Sequence, residues 1–229
     1  MLKKNNLKQK GPSWFEVGLG AFLSVILGIA LGAAYLVAKP VDKVTAIPKD
    51  APAGAVYYIE GATDLNRSTL GAKRKSFTGG ESVVVDEGEL NAFFASLKPA
   101  VAAPPAPKPG DKNPPPAPDA KTFDTSALNA RIREGRIQFG DTVSFNVFGI
   151  SGSFVVQSVG TFVKRGPIFE FDPDTFMVGG CPMERLIFIR GWVMKQLLFN
   201  HPEPDDVASA WGRLVDVSID GNKLRLKMP

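Results

Sequence analysis

The first long apolar stretch is also the longest. Twenty-two residues without a charged side chain run from Val17 to Ala38 (VGLGAFLSVILGIALGAAYLVA). As a helix they span roughly 33 Å at 1.5 Å per residue, close to the hydrocarbon core of a bilayer. Trp14 and Tyr35 stand near the two ends, at headgroup level. A cleaved signal peptide is the rival reading, since Gly32, Ala33 and Ala34 are small. The run is longer than such a peptide's apolar region, which favours an uncleaved transmembrane helix over 14–38. Gly28 and Gly32 form a GxxxG pair, a candidate face for pairing two such helices.

Beyond the helix the pattern shortens and alternates. Residues 39–53 are polar and proline-punctuated, a juxtamembrane linker. Residues 55–61 (AVYYIEG) suit a short strand or a helix start. A polar helix over 62–76 is closed by Gly79-Gly80, and Ser82–Val85 is a β-branched strand. Asp86 then caps a helix reaching Leu97, whose Leu90, Phe93, Phe94 and Leu97 recur at helical spacing. Residues 99–120 hold nine prolines and read as an extended insert within one domain, because 54–98 is too short to fold alone.

From residue 130 onward the period becomes two. Strands are expected over 130–139 (two, around Glu134-Gly135), 142–149, 152–164 with a bulge at Gly160, 167–171 and 175–180. The main helix is expected over Pro182–Asn200, with proline at its first position and His201-Pro202 as its stop. A short helix over Asp205–Gly212 precedes a hairpin turning at Asp220-Gly221. The class is α+β: one N-terminal transmembrane helix, then a curved antiparallel sheet with helices packed on one face, in an extracytoplasmic domain over 54–229.

Composition changes the picture in one respect. The chain has 229 residues and a net charge of +4, which raises nucleic acid as a partner. Lys3, Lys4, Lys8 and Lys10 supply that whole excess; residues 14–229 carry 23 basic and 23 acidic side chains. The basicity is therefore a topology signal. It predicts a cytoplasmic tail over 1–13 and an exported remainder, most simply in a bacterial inner membrane facing the periplasm, and it points away from nucleic acid.

The expected main helix carries more apolar side chains than one buried stripe requires. Met183, Leu186, Ile187, Val193, Met194, Leu197 and Leu198 fall on one face with Arg190 among them; Phe188, Trp192 and Phe199 fall opposite. Either sheet and loops cover both faces, or helix and sheet enclose an apolar groove. The groove would add Phe145, Phe154 and Phe169 from the strands, and Arg190 would meet an acidic headgroup unless it snorkels to solvent.

Reactive chemistry is sparse. There is no nucleophile elbow, phosphate loop, HExxH or CxxC. His201 reads as a helix-end residue and Cys181 as a small packing residue. Asp172, Asp174, Asp205 and Asp206 read as turn and cap residues rather than metal ligands, and Lys73-Arg74-Lys75 as a solvated face. Asn66-Arg67-Ser68 is a glycosylation sequon only in a eukaryotic secretory setting. The expectation is a non-enzymatic protein with no cofactor and no metal.

The order of elements resembles a known pattern. The strand, the acidic cap, Glu89-Leu90-Asn91 and the apolar helix that follows look like those of YpmS-like and YceB-like single-pass envelope proteins, as does the closing V-x-I-D-G-x-x-L-x-L hairpin. The likeness covers 73–98 and 121–229 and is interrupted by the proline tract. It implies a tubular lipid-binding (TULIP-like) extracytoplasmic domain. The expectation is a membrane-anchored domain that binds a lipid or other apolar ligand; the alternative is a scaffold subunit that joins a protein partner in the cell envelope.

Overall fold

The computed structural model describes residues 11, 13–52, 54–63, 67–97, 123–147, 150–185, 187–198 and 203–229. Most of the basic tail, the sequon asparagine, the proline tract, Phe199 and His201 lie outside the described residues. The chain divides into two units, Met1–Leu36 and Val37–Pro229.

The first unit is the apolar helix. α1 runs over Trp14–Ala38, 25 residues, and is long and apolar enough to cross a membrane. Its start carries a signal the apolar pattern did not use. The Ser13 hydroxyl accepts the Phe15 N–H at 3.2 Å while Glu16 accepts the Ser13 N–H at 2.7 Å, a capping box.

The second unit begins with β1 (Asp42–Lys43), which pairs in parallel with β2 (Tyr57–Tyr58). The segment read as a linker is thus docked at one point. β2 is anchored in turn by the Tyr58 ring, 2% exposed, which lies on Gly140; a Cβ there would stand 2.3 Å from the ring. α2 (Arg67–Thr78), β3 (Val83–Asp86) and α3 (Glu87–Leu97) follow. Asp86 caps α3 as expected: its carboxylate accepts the Glu89 N–H at 2.9 Å, and Glu89 accepts the Asp86 N–H at 3.0 Å.

The main sheet is antiparallel and open. β4 (Phe123–Thr125) and β5 (Asn129–Arg133) both pair with β6 (Arg136–Val147); β7 (Ile150–Arg165), β8 (Ile168–Val178) and β9 (Cys181–Pro182) continue it. The separate short strands expected over 136–149 and over 167–180 are each one long strand. The register shifts at Val159/Gly160, where irregularity is expected, but the extra residue is Asp174 on β8, which lets that strand run through Pro173. Gly160 is required there, since a Cβ would meet the Asp172 carbonyl at 2.1 Å.

The expected helix over Pro182–Asn200 is shorter than its pattern. Cys181 and Pro182 pair with Val178 and Met177 as an edge strand, where a missing N–H is tolerated. A 3-10 turn covers Met183–Arg185, and its Glu184 accepts the Phe176 N–H at 3.0 Å. With those residues committed to the sheet edge, α4 spans only Ile187–Leu197. α5 (Asp205–Trp211) precedes β10 (Asp216–Asp220) and β11 (Lys223–Lys227). That C-terminal hairpin leaves the main sheet and forms a second one with β3, in the order β10-β11-β3. The class is α+β, as expected.

Candidate ligand-binding site

α3 organises the site because its two flanks do opposite things. On one flank Glu87 and Asn91, one turn apart, face the free edge of β5. The Asn91 amide donates to Ala62 and Ala130 carbonyls at 2.7 and 2.8 Å and accepts the Ala130 N–H at 2.6 Å. Glu87 accepts the Ala62 and Ile132 N–H groups at 2.7 and 2.8 Å and pairs with Arg133 at 3.3 Å. These side chains occupy the position of a neighbouring strand. They cover an edge that would otherwise present unpaired backbone groups. Both are buried, and both are satisfied.

On the other flank Leu90, Phe93, Phe94 and Leu97 face an apolar cavity of about 260 Å³. α2 contributes Leu70 and Phe77, and α5 contributes Val207 and Trp211. Leu224 and Leu226 come from the small sheet; Phe139, Phe162 and Phe171 come from the large one. The aromatic rings brace one another edge to face: Phe139 and Phe171 centroids are 5.0 Å apart, and Phe162 and Trp211 are 5.5 Å apart. The Trp211 indole donates to the Phe169 carbonyl at 2.8 Å, which fixes its ring at the wall.

The charged lining residues are Lys73, Arg74 and the exposed Glu203, and the first two are paired. Lys73 donates to Glu89 at 2.6 Å and to the Val84 carbonyl at 2.8 Å. Arg74 on α2 forks onto Asp206 on α5 at 2.8 to 3.2 Å. The Arg74 hydrogen bond holds the Asp206 carboxyl below the usual carboxylate range.

The Glu89-Leu90-Asn91 element resolves into three jobs. Glu89 completes the cap and holds Lys73, Leu90 lines the cavity, and Asn91 clamps β5. The aromatic residues singled out with the main helix are dispersed. Phe145 and Phe154 stack on each other at 6.1 Å. Phe169 is buried beneath the Lys164 ammonium, 5.5 Å from its ring centroid. Arg190 donates to the Pro173 carbonyl at 3.2 Å, so it has a main-chain partner. Trp192 is 68% exposed. The Phe188 side chain and Phe199 lie outside what is described. None of the described ones lines the cavity. Around Gly28 and Gly32 the helix surface is open, with nothing within 4 Å of an added Cβ.

Sequence reasoning missed α2, α5 and the Phe162/Phe171 cross-strand pair as cavity walls. Leu70 with Phe77, and Val207 with Trp211, did recur at helical spacing. The remaining candidates have structural explanations. Asp172 and Asp174 pair with Arg165 and Arg136. Cys181 is buried, and that burial, with Glu184 nearby, pushes its thiol pKa up, away from the reactive thiolate. Among the described residues no group of three or more His, Cys, Asp or Glu side chains is placed to hold a metal. Comparison with protein-family models, with curated proteins and with solved structures finds no match.

Proposed function

We propose that the chain is a membrane-anchored, non-enzymatic binding module that holds a lipid chain or other apolar ligand in the α2–α3–α5 cavity. The cavity itself carries this reading. Its walls are mainly leucine, valine and aromatic rings, and its charged residues are the paired Lys73 and Arg74 and the exposed Glu203. An apolar cavity of about 150 Å³ already stays dry and takes up benzene. This one, at about 260 Å³, has room for a larger apolar group. Such a site gains affinity by removing apolar surface from water, about 0.8 kcal/mol per buried methylene, less the cost of association. A resident bacterial envelope lipid agrees with the membrane span, the basic tail and the resemblance to TULIP-like envelope domains.

The test is native mass spectrometry of the full chain released from detergent micelles, followed by solvent extraction. A stoichiometric apolar adduct that survives micelle removal is expected. A bare polypeptide mass, unchanged on incubation with fatty acids or phospholipids, contradicts the reading. The scaffold alternative draws on the open Gly28/Gly32 face. It predicts a stoichiometric protein partner in membrane cross-linking, lost in Gly28→Leu.

A further inference from the structure

A second cleft lies on the main sheet, away from the apolar cavity. It occupies about 260 Å³ at the β5–β6 hairpin and is bordered by Arg131, Arg133, Glu134, Arg136 and Gln138. Strand alternation puts Ala130, Ile132, Ile137 and Phe139 into the core, all 4% exposed or less. The same alternation leaves the three arginines and Gln138 together on the opposite face. The register sets Arg133 directly across from Arg136, and Arg131 across from Gln138. Like charges directly opposite on paired strands, about 5 Å apart at Cβ, oppose pairing. The hairpin keeps this arrangement next to its turn.

The acids nearby leave donors over. Elsewhere arginines are held tightly: Arg74 by a fork on Asp206, Arg165 by Asp172 at 2.6 Å, Arg225 by Asp220 at 2.6 Å. In the cleft, Arg133 and Arg136 each make one ion pair at 3.3 Å, to Glu87 and Asp174, and the same Arg133 nitrogen donates to the Ile132 carbonyl at 2.8 Å, leaving its other nitrogens over. Glu87 is already committed to two backbone N–H groups. Arg131 makes no hydrogen bond or ion pair with any described residue. Three planar guanidinium groups around one cleft match a tetrahedral oxyanion, whose several oxygens can each take a fork, better than a single carboxylate.

We infer that this cleft is an anion site for a phosphate group, either free or on a lipid headgroup, with Arg131 its principal ligand and Arg133 and Arg136 its flanks. The bound dianion neutralises the Arg133/Arg136 opposition. Glu134, at the same rim, opposes binding.

The test is calorimetric titration of the full chain, in nonionic detergent, with inorganic phosphate at low and moderate salt. One site per chain is expected, weakening with salt. Arg131→Gln should weaken it at least ten-fold, Arg131→Lys less, and Glu134→Gln should tighten it about three-fold. Arg225→Gln, on the other hairpin, should bind like the wild type. Thermal midpoints of all variants report folding, and Arg131→Gln should keep the wild-type value. In nanodiscs, phosphatidic acid that abolishes phosphate uptake identifies the lipid as the source. Unchanged uptake identifies free phosphate. No phosphate binding by the wild type, or wild-type binding by a folded Arg131→Gln, overturns the inference.

Discussion

The two flanks of α3 share eleven residues and one backbone, yet they are built to different rules. The Glu87/Asn91 flank is polar, buried and completely bonded, and leaves no room. The Leu90/Phe93/Phe94/Leu97 flank is apolar and leaves a cavity. A helix core normally buries its apolar stripe and exposes its polar one. Here the polar flank seals a sheet edge, and the apolar flank keeps unfilled space. Hydrogen bonds hold α3 in place, and its apolar side borders open space without close packing.

The largest effect should come from breaking the polar flank. Asn91→Ala orphans the Ala130 N–H and removes the donor to two carbonyls. At about 1 to 3 kcal/mol for each buried group left unsatisfied, it should cost about 3 kcal/mol or more in urea unfolding. Glu87→Ala should cost a similar amount, because two N–H groups lose a buried acceptor. On the apolar flank Leu90→Ala should cost only about 1 kcal/mol, below the 2–5 typical of a close-packed leucine, because its side chain borders space rather than atoms. Equal losses from Asn91→Ala and Leu90→Ala would break the comparison.

The smallest effect concerns the rim. Asp206 has its pKa depressed in the folded state, so its contribution is present above the unfolded carboxylate pKa and is lost as pH falls through the folded one. Asp206→Asn should therefore lower the melting temperature slightly near neutrality. Its curve should converge with the wild type in acid. A gap that stays constant down to low pH would show that Asp206 acts through something other than its charge.

How much of this was legible depends on how far apart in the chain the partners lie. The α3 stripe, its Asp86 cap, the irregularity at Gly160 and the Asp220-Gly221 turn are local, and pattern alone locates them. The clamp is not local: Asn91 and Glu87 reach residues 39 and 45 positions further on, and nothing in a Glu or Asn marks it as a strand substitute. α4 is shorter than its pattern because apolar periodicity cannot separate a helix start from an edge strand. Pro182 suits a first helical position but pairs with Met177, and Met183–Arg185 form a 3-10 turn. The same apolar periodicity points to a groove beside that helix. The cavity forms where α2, α3, α5 and two sheets meet, with Leu198 the one residue of the expected main helix among its walls, and the departure of the C-terminal hairpin from the main sheet to β3 completes them.

The most direct test sets the cavity against the helix surface that the apolar pattern had favoured. Ala208 sits on the cavity lining and Trp192 on exposed α4. Uptake of the apolar fluorophore N-phenyl-1-naphthylamine by the full chain should fall at least ten-fold in Ala208→Trp, which fills the space, with the melting temperature kept. It should be unchanged in Trp192→Ala. Full uptake by Ala208→Trp, with loss in Trp192→Ala, would place the ligand on α4 and contradict the account.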